Sequence, residues 1–284
     1  SDFISIMMLF FSILNFFRPL NIFLGVLTSL VVSYLIDPTN FLRIIDLGMI
    51  IIFYMAGANA LNDLVDIEID RINKPHRFLV QHSIQKKYII LLIAVLFLMG
   101  SWKAFSIYPV AKNIALFFVL PFLILYEIIL KKIPLVGNII ISLLVGSVFI
   151  YTEAGLINDI VVTWKIFILA FMLNLIREII KDIQDIDGDN SNNITTLPIL
   201  IGVYPTIIFL RGLSFIFILV SMHPSYTYQY SIYYIPLILF SIHIPLLYIM
   251  WGLRVDITTK KLNHFSNFLK IMIINGIIII LLSH

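Results

Sequence analysis

Nine apolar runs of 15–24 residues, each closed by charge, proline or glycine, fill most of this chain and narrow its choice of fold. A helix crossing the hydrocarbon core of a bilayer takes about 20 apolar residues, far more than a strand needs. The runs are Leu20–Ile36, Leu47–Asp70, Tyr88–Phe105, Ile114–Leu130, Gly137–Gly155, Ile160–Asp182, Leu197–Val220, Ile232–Leu253 and Phe268–Leu282. Of the 284 residues, 61% are hydrophobic and 12% charged, roughly half the charged share of a soluble domain. The sequence therefore predicts an all-α integral membrane protein with nine transmembrane helices. A single membrane domain, 1–284, is expected, with residues 3–17 as a short interfacial helix ahead of the first span. The missing cysteines exclude a disulfide scaffold and a thiolate metal site, and a scattered net charge of +3 excludes a nucleic-acid partner. The apolar stretch behind Ser1-Asp2 reaches Arg18-Pro19 without a small-residue cleavage site, so no cleaved signal is expected.

Alternating spans sort the Lys and Arg residues into two sets. One side holds Arg18, Arg71, Lys74, Arg77, Lys86, Lys87, Lys131, Lys132, Arg177, Lys181, Arg254, Lys260, Lys261 and Lys270; the other holds Arg43, Lys103, Lys112, Lys165 and Arg211. Fourteen against five predicts a multi-pass cell-membrane protein with its first side and N-terminus cytoplasmic and its C-terminus outside.

Carboxylates are distributed still less evenly. Nine of the sixteen Asp and Glu lie in two windows at the inner ends of the second and sixth spans. The first reads Asn59-x-x-Asn62-Asp63-x-x-Asp66-x-x-x-Asp70; the second reads Glu178-x-x-x-Asp182-x-x-Asp185-x-x-x-Asp189, displaced by a constant 119 residues. Steps of three, four and seven predict one helical stripe in each window, and four intervening spans make the copies parallel. Glu68 and Asp187 fall off the stripe and read as solvated. A single D-x-x-D at a helix end is more simply a cap, but two copies at one spacing and one depth point to function.

Facing carboxylate stripes need cations between them. Oxygen-only ligands suit Mg²⁺, which shares its coordination with substrate phosphates. The six histidines offer no i, i+3 or i, i+4 pair for another metal. Arg71, Lys74 and Arg77 follow the first stripe, Lys131 and Lys132 end the fourth span, and Arg177 and Lys181 interleave with the second stripe. Together these residues describe a diphosphate site at a membrane interface, suited to an allylic diphosphate whose apolar part lies among the helices. Tyr126 is the candidate ring for sheltering a prenyl cation. Lys86, Lys87, Lys260 and Lys261 read as topology anchors.

These residues resemble the UbiA superfamily of intramembrane prenyltransferases. Asn62-Asp63-Leu64-Val65-Asp66-Ile67-Glu68-Ile69-Asp70 is similar to its first Asp-rich motif and Asp182 to Asp189 to its second. Arg18-Pro19, Tyr126 to Lys131-Lys132, Gly137-Asn138 and Thr196-Leu197-Pro198 with Gly202 match further signatures. The resemblance implies nine helices around a central cavity, with a cytoplasmic cap made by the loops after helices 2 and 6. It implies two Mg²⁺ ions, one on Asn59, Asn62, Asp63 and Asp66, the other on Asp182 and Asp185. Asp70 and Asp189 would support the metal shell or take the acceptor proton. Arg71, Lys74, Arg77, Lys131 and Lys181 would grip the diphosphate, with Arg18 and Arg177 nearby. Asp70 to Arg77, Arg177 to Asp182 and Tyr126 to Asn138 look most like the archaeal ether-lipid branch. That branch implies an isoprenyl diphosphate and a lipid acceptor, with geranylgeranyl transferred to geranylgeranylglyceryl phosphate and pyrophosphate released. One departure is Phe78 to Ser83, where the branch usually carries a Pro-rich, Gly-ending segment. The alternatives left open are an aromatic acceptor of quinone synthesis and a carboxylate-based ion transporter.

Overall fold

Each apolar run satisfies its own backbone as a helix, the form that lipid allows to an open chain. A computed structural model describes residues 15–73, 75, 77–82, 84–191, 194–226 and 231–283, with helices and no strand among them. The chain divides into two compact units.

The first unit comprises Ser1–Ile128 and Tyr151–Ile160. Its helices are α1 (Pro19–Ile36), α2 (Phe41–Val65), α3 (Ile67–Asn73), α4 (Phe78–Gln81) and α5 (Lys86–Lys103), followed by the helical run α6 (Pro109–Ile128). Asn40 caps α2 by accepting from the Arg43 N–H at 3.4 Å, so this helix starts ahead of the expected Leu47. α2 packs on α1, α5 and the end of α6. The second unit comprises Ile129–Ile150 and Val161–His284. α7 (Val136–Ile157) enters it and is followed by α8 (Trp164–Gln184), α9 (Ile186–Ser191), α10 (Leu197–Ile201) and α11 (Val203–Tyr226), then α12 (Tyr234–Gly252) and α13 (Thr259–Ser283). α8 packs on α13 and α11 and buries Ile176, Ile179 and Ile180 in a core shared with Phe265 and Leu210.

Among the described residues, eight helices are long and apolar enough to cross a membrane. α8, the counterpart of the expected sixth span, is 21 residues long but carries Lys165, Arg177, Glu178, Lys181 and Asp182. By length and apolarity, eight of the nine expected spans qualify among the described residues, and α8 is set apart by these charges. The expected Leu197–Val220 run is broken at Gly202, whose φ of +93° favours glycine. The final helix starts at Thr259 rather than Phe268, so Lys260 and Lys261 ride on its first turn.

Arg211 corrects the charge sorting. Its guanidinium donates to the Leu253 carbonyl at 3.1 Å, at the C-terminal end of α12 beside Arg254. A long flexible side chain reaches away from its Cα along a helix, so Arg211 joins the richer set. The division becomes fifteen against four.

Candidate functional site

The two acidic windows do not form the two continuous stripes that the spacing predicts. α2 ends at Val65 with Asp66 at φ −91°, ψ 6°, and α8 ends at Gln184 with Asp185 at φ −101°, ψ 9°. The backbone bonds repeat as well: Asp66 N–H to Asn62 O and Asp185 N–H to Lys181 O at 2.9 Å, then Asp70 N–H to Asp66 O and Asp189 N–H to Asp185 O at 2.8 Å. Electrostatics favours the break. Carboxylates oppose the negative C-terminal end of a helix, and a restarted helix offers a positive end instead. Glu68 and Asp70 occupy the first turn of α3, and Asp187 and Asp189 that of α9.

In the first unit Asp63 is the centre, buried at 2% exposure. Arg18 donates to its Oδ1 at 2.7 Å, and Arg77 donates to the same oxygen. Arg18 sits just before α1 with a φ of +52°, and its guanidinium also bonds Asn62 Oδ1. Arg77 further approaches the buried Asp70 at 3.9 Å. Asn62 Nδ2 donates to Asp66 Oδ2 at 3.1 Å and to Glu127 Oε2 at 2.8 Å, while Asn59 donates to the Phe17 carbonyl at 2.8 Å. Asp63 Oδ2 and Arg18 Nε are buried with no hydrogen-bond partner among the described residues.

In the second unit Asn138, in the first turn of α7, donates to Asp182 Oδ2 at 2.9 Å. The Asn138 carbonyl accepts from Ser142, which accepts from Asn174, so the start of α7 is tied to α8 by a polar chain. Glu178 receives Arg177 at 2.5 Å and Lys181 at 2.8 Å. Beyond the span, burial and the neighbouring Asp185 push the Asp189 carboxyl up to about 6, against a downward pull from Lys181.

Of the expected residues, Arg18, Asn62, Asp63, Asp66, Asp70 and Arg77 form one connected group, with Asn59 one turn up α2. Asp182 and Asp185 share the end of α8 with Arg177 and Lys181, and Asp189 follows in the first turn of α9. Arg71 instead pairs with Glu68 at 2.9 Å in solvent. Tyr126 is half-buried on α6, and Lys131 is half-buried in the turn Leu130–Lys132. Lys74 lies outside the described residues, as does Ser83 from the departing segment, whose Phe78–Gln81 is α4. Glu127 was not singled out from the sequence, and Asn138 entered only as part of a resembled signature, without a role. A glutamate inside an apolar run was the available signal for the first.

Among the described residues no three His, Asp or Glu side chains converge to hold a metal. A cation that takes part of its coordination from phosphate needs fewer protein ligands. The all-oxygen donors and the unpartnered Asp63 Oδ2 fit such an ion.

The UbiA prenyltransferase family model matches residues 22–271. Among relatives named digeranylgeranylglyceryl phosphate synthase, that of Methanosphaera stadtmanae is 31% identical over 78% of this chain and 80% of its own. That of Haloquadratum walsbyi is 35% identical over 66% of this chain, and that of Methanosarcina mazei 40% identical over 56%. The chain spans 65% and 56% of the length of those last two. A solved digeranylgeranylglyceryl phosphate synthase structure superposes with a TM-score of 0.82 at 27% identity, covering 97% of this chain and 98% of that one. A UbiA homologue from Archaeoglobus fulgidus, bound to DMAPP and Mg²⁺, shares the fold with a TM-score of 0.72 at 19% identity over 94% and 98% of the two chains. A match running almost end to end, over the same helices that carry the repeated aspartate breaks, means that this chain belongs to the UbiA prenyltransferase family.

Proposed function

We propose that this chain is a Mg²⁺-dependent prenyltransferase that joins geranylgeranyl diphosphate to geranylgeranylglyceryl phosphate and releases pyrophosphate. The observation that carries the reading is the near-complete likeness to a solved synthase of that name, at 27% identity over 97% of the chain. The relatives' shared name supports the lipid acceptor, which would bring its own phosphate to the side rich in Lys and Arg.

In this reading Asn59, Asn62, Asp63 and Asp66 hold one Mg²⁺ and Asp182 and Asp185 a second. Bound Mg²⁺ supplies charge neutralisation for the leaving diphosphate. Arg18, Arg71, Lys74, Arg77, Lys131, Arg177 and Lys181 grip the diphosphate oxygens. Arg18 and Arg77 are half-buried and paired with Asp63, which keeps them beside the anion site. As the bond between the prenyl C1 and the diphosphate oxygen breaks, the Tyr126 ring shelters the developing cation. The glycerol hydroxyl oxygen then forms the new ether bond, and its proton passes to Asp70 or Asp189. The site faces the cytoplasm, with the N-terminus on that side and the C-terminus outside, and the nine expected spans, α8 included, form one membrane domain.

The test is pyrophosphate release by purified protein in detergent with Mg²⁺ and geranylgeranyl diphosphate. Release is expected with geranylgeranylglyceryl phosphate and not with 4-hydroxybenzoate or a dihydroxynaphthoate. Release only with an aromatic acceptor would move the chain to the quinone branch, and no release with any acceptor would return the transporter reading.

A further inference from the structure

Glu127 is a buried carboxylate that neither aspartate-rich segment accounts for. It stands at the end of α6 with 7% exposure, in the run Phe122-Leu123-Ile124-Leu125-Tyr126-Glu127-Ile128. An ionisable group there is costly unless it serves something specific. Among its contacts is a 2.8 Å bond from Asn62 Nδ2, and the same nitrogen also serves Asp66 Oδ2 at 3.1 Å. A side-chain amide has two N–H donors and one acceptor oxygen. Both donors of Asn62 are thus directed at carboxylates that can only accept. Turning the amide over would set Oδ1 against Glu127 and Asp66 and aim both N–H groups at the Arg18 guanidinium. Three repulsive contacts would replace three hydrogen bonds, so Oδ1 is held on the side where Arg18, a cation, now sits.

We propose that Glu127 is a positioning residue that fixes the Asn62 amide with its oxygen presented to cations. This inference rests on the metal–diphosphate reading above. Outer partners of metal ligands act in this way, and losing one typically weakens metal affinity about 10- to 100-fold.

The test measures Mn²⁺ binding by loss of the free-ion electron paramagnetic resonance signal. Purified protein in detergent is used with geranylgeranyl thiolodiphosphate, which occupies the site without reacting. Glu127→Leu, which removes the acceptor, is expected to weaken Mn²⁺ binding about 10- to 100-fold. Glu127→Gln keeps an acceptor oxygen and is expected to lose clearly less. The double variant Glu127→Leu/Asn62→Ala should bind no more weakly than Asn62→Ala alone, the result that action through Asn62 requires. Wild-type affinity in Glu127→Leu, an equal loss in Glu127→Gln, or additive losses in the double variant would each overturn the inference. Thermal unfolding checks every variant, and if Glu127→Leu does not fold, Glu127→Met carries the same comparison. If the wild-type protein binds no Mn²⁺ beside the analogue, the proposed function fails instead.

Discussion

Asp63 and Asp182 occupy equivalent places in the repeat, yet their surroundings differ in a way the spacing does not reveal. Asp63 neutralises two guanidinium groups, whereas Asp182 accepts from a neutral amide. On the proposed two-metal reading, substituting either by Asn should abolish turnover, because each would lose a charge assigned to the metal. The stability consequences should diverge. Asp63→Asn leaves Arg18 and Arg77 without their anion and should cost about 1–3 kcal/mol, since both arginines keep part of their hydration. Asp182→Asn still offers an oxygen to Asn138 and should unfold close to wild type. Thermal melts of the two variants beside their activity check this, and equal melting temperatures would remove the distinction. Asp189 gives the pH counterpart. Its folded carboxyl titrates near 6, above the ordinary 3.8, so the folded state holds the proton that the unfolded chain has released. This group's contribution to stability is therefore greatest below the ordinary carboxylate range and falls as pH rises towards about 6. In EDTA, Asp189→Asn should melt higher than wild type at pH 7 by roughly 2–4 °C, the effect of about 1 kcal/mol in a chain of this size. The gap should close below pH 4, and one that persists there would mean the charge is not its source.

At the scale of elements, the feature that organises both halves is a helix that stops and restarts at an aspartate. The sequence made the two windows and their common displacement legible, because identical spacings of Asp survive in the letters. It did not make the breaks legible. Continuous i, i+3, i+4 spacing describes an unbroken helix equally well, and the choice is made by helix-end electrostatics that the pattern does not encode. The roles of Glu127 and Asn138 stayed hidden for a similar reason. Each acts on a residue 44 or 65 positions away, through packing between helices rather than along one. Gly137 shows how closely the second unit's elements meet. A Cβ there would lie 2.9 Å from the Leu130 carbonyl oxygen and 3.0 Å from the Lys131 Cα. These are backbone atoms that cannot turn aside. Gly137→Ala should therefore push the Leu130–Lys132 turn away from α7 and displace Lys131, at about 1–3 kcal/mol of overpacking. If Lys131 grips the diphosphate, KM for geranylgeranyl diphosphate should rise more than kcat falls. A stable variant with unchanged kinetics would show that the turn tolerates the displacement.

For the whole molecule, hydropathy gave nearly everything about fold class, because crossing a membrane imposes length and apolarity on every span at once. The one run that fails a strict apolar test is α8, whose charged face carries the second acidic window. Arg211 was missorted because a residue's place along a run does not say which end its side chain reaches. Its move makes the charge asymmetry steeper, and that asymmetry argues for one orientation in the membrane. The native chain contains no cysteine, so single cysteines report sidedness without background. Asp159→Cys lies between α7 and α8 and Lys260→Cys at the start of α13, and both positions are exposed. In sealed cells, a membrane-impermeant maleimide should label Asp159→Cys from outside and leave Lys260→Cys unlabelled until the membrane is opened. The reverse pattern would place the aspartate-rich segments outside, away from any cytoplasmic diphosphate. Labelling of both positions in sealed cells would mean that an odd number of spans does not separate them.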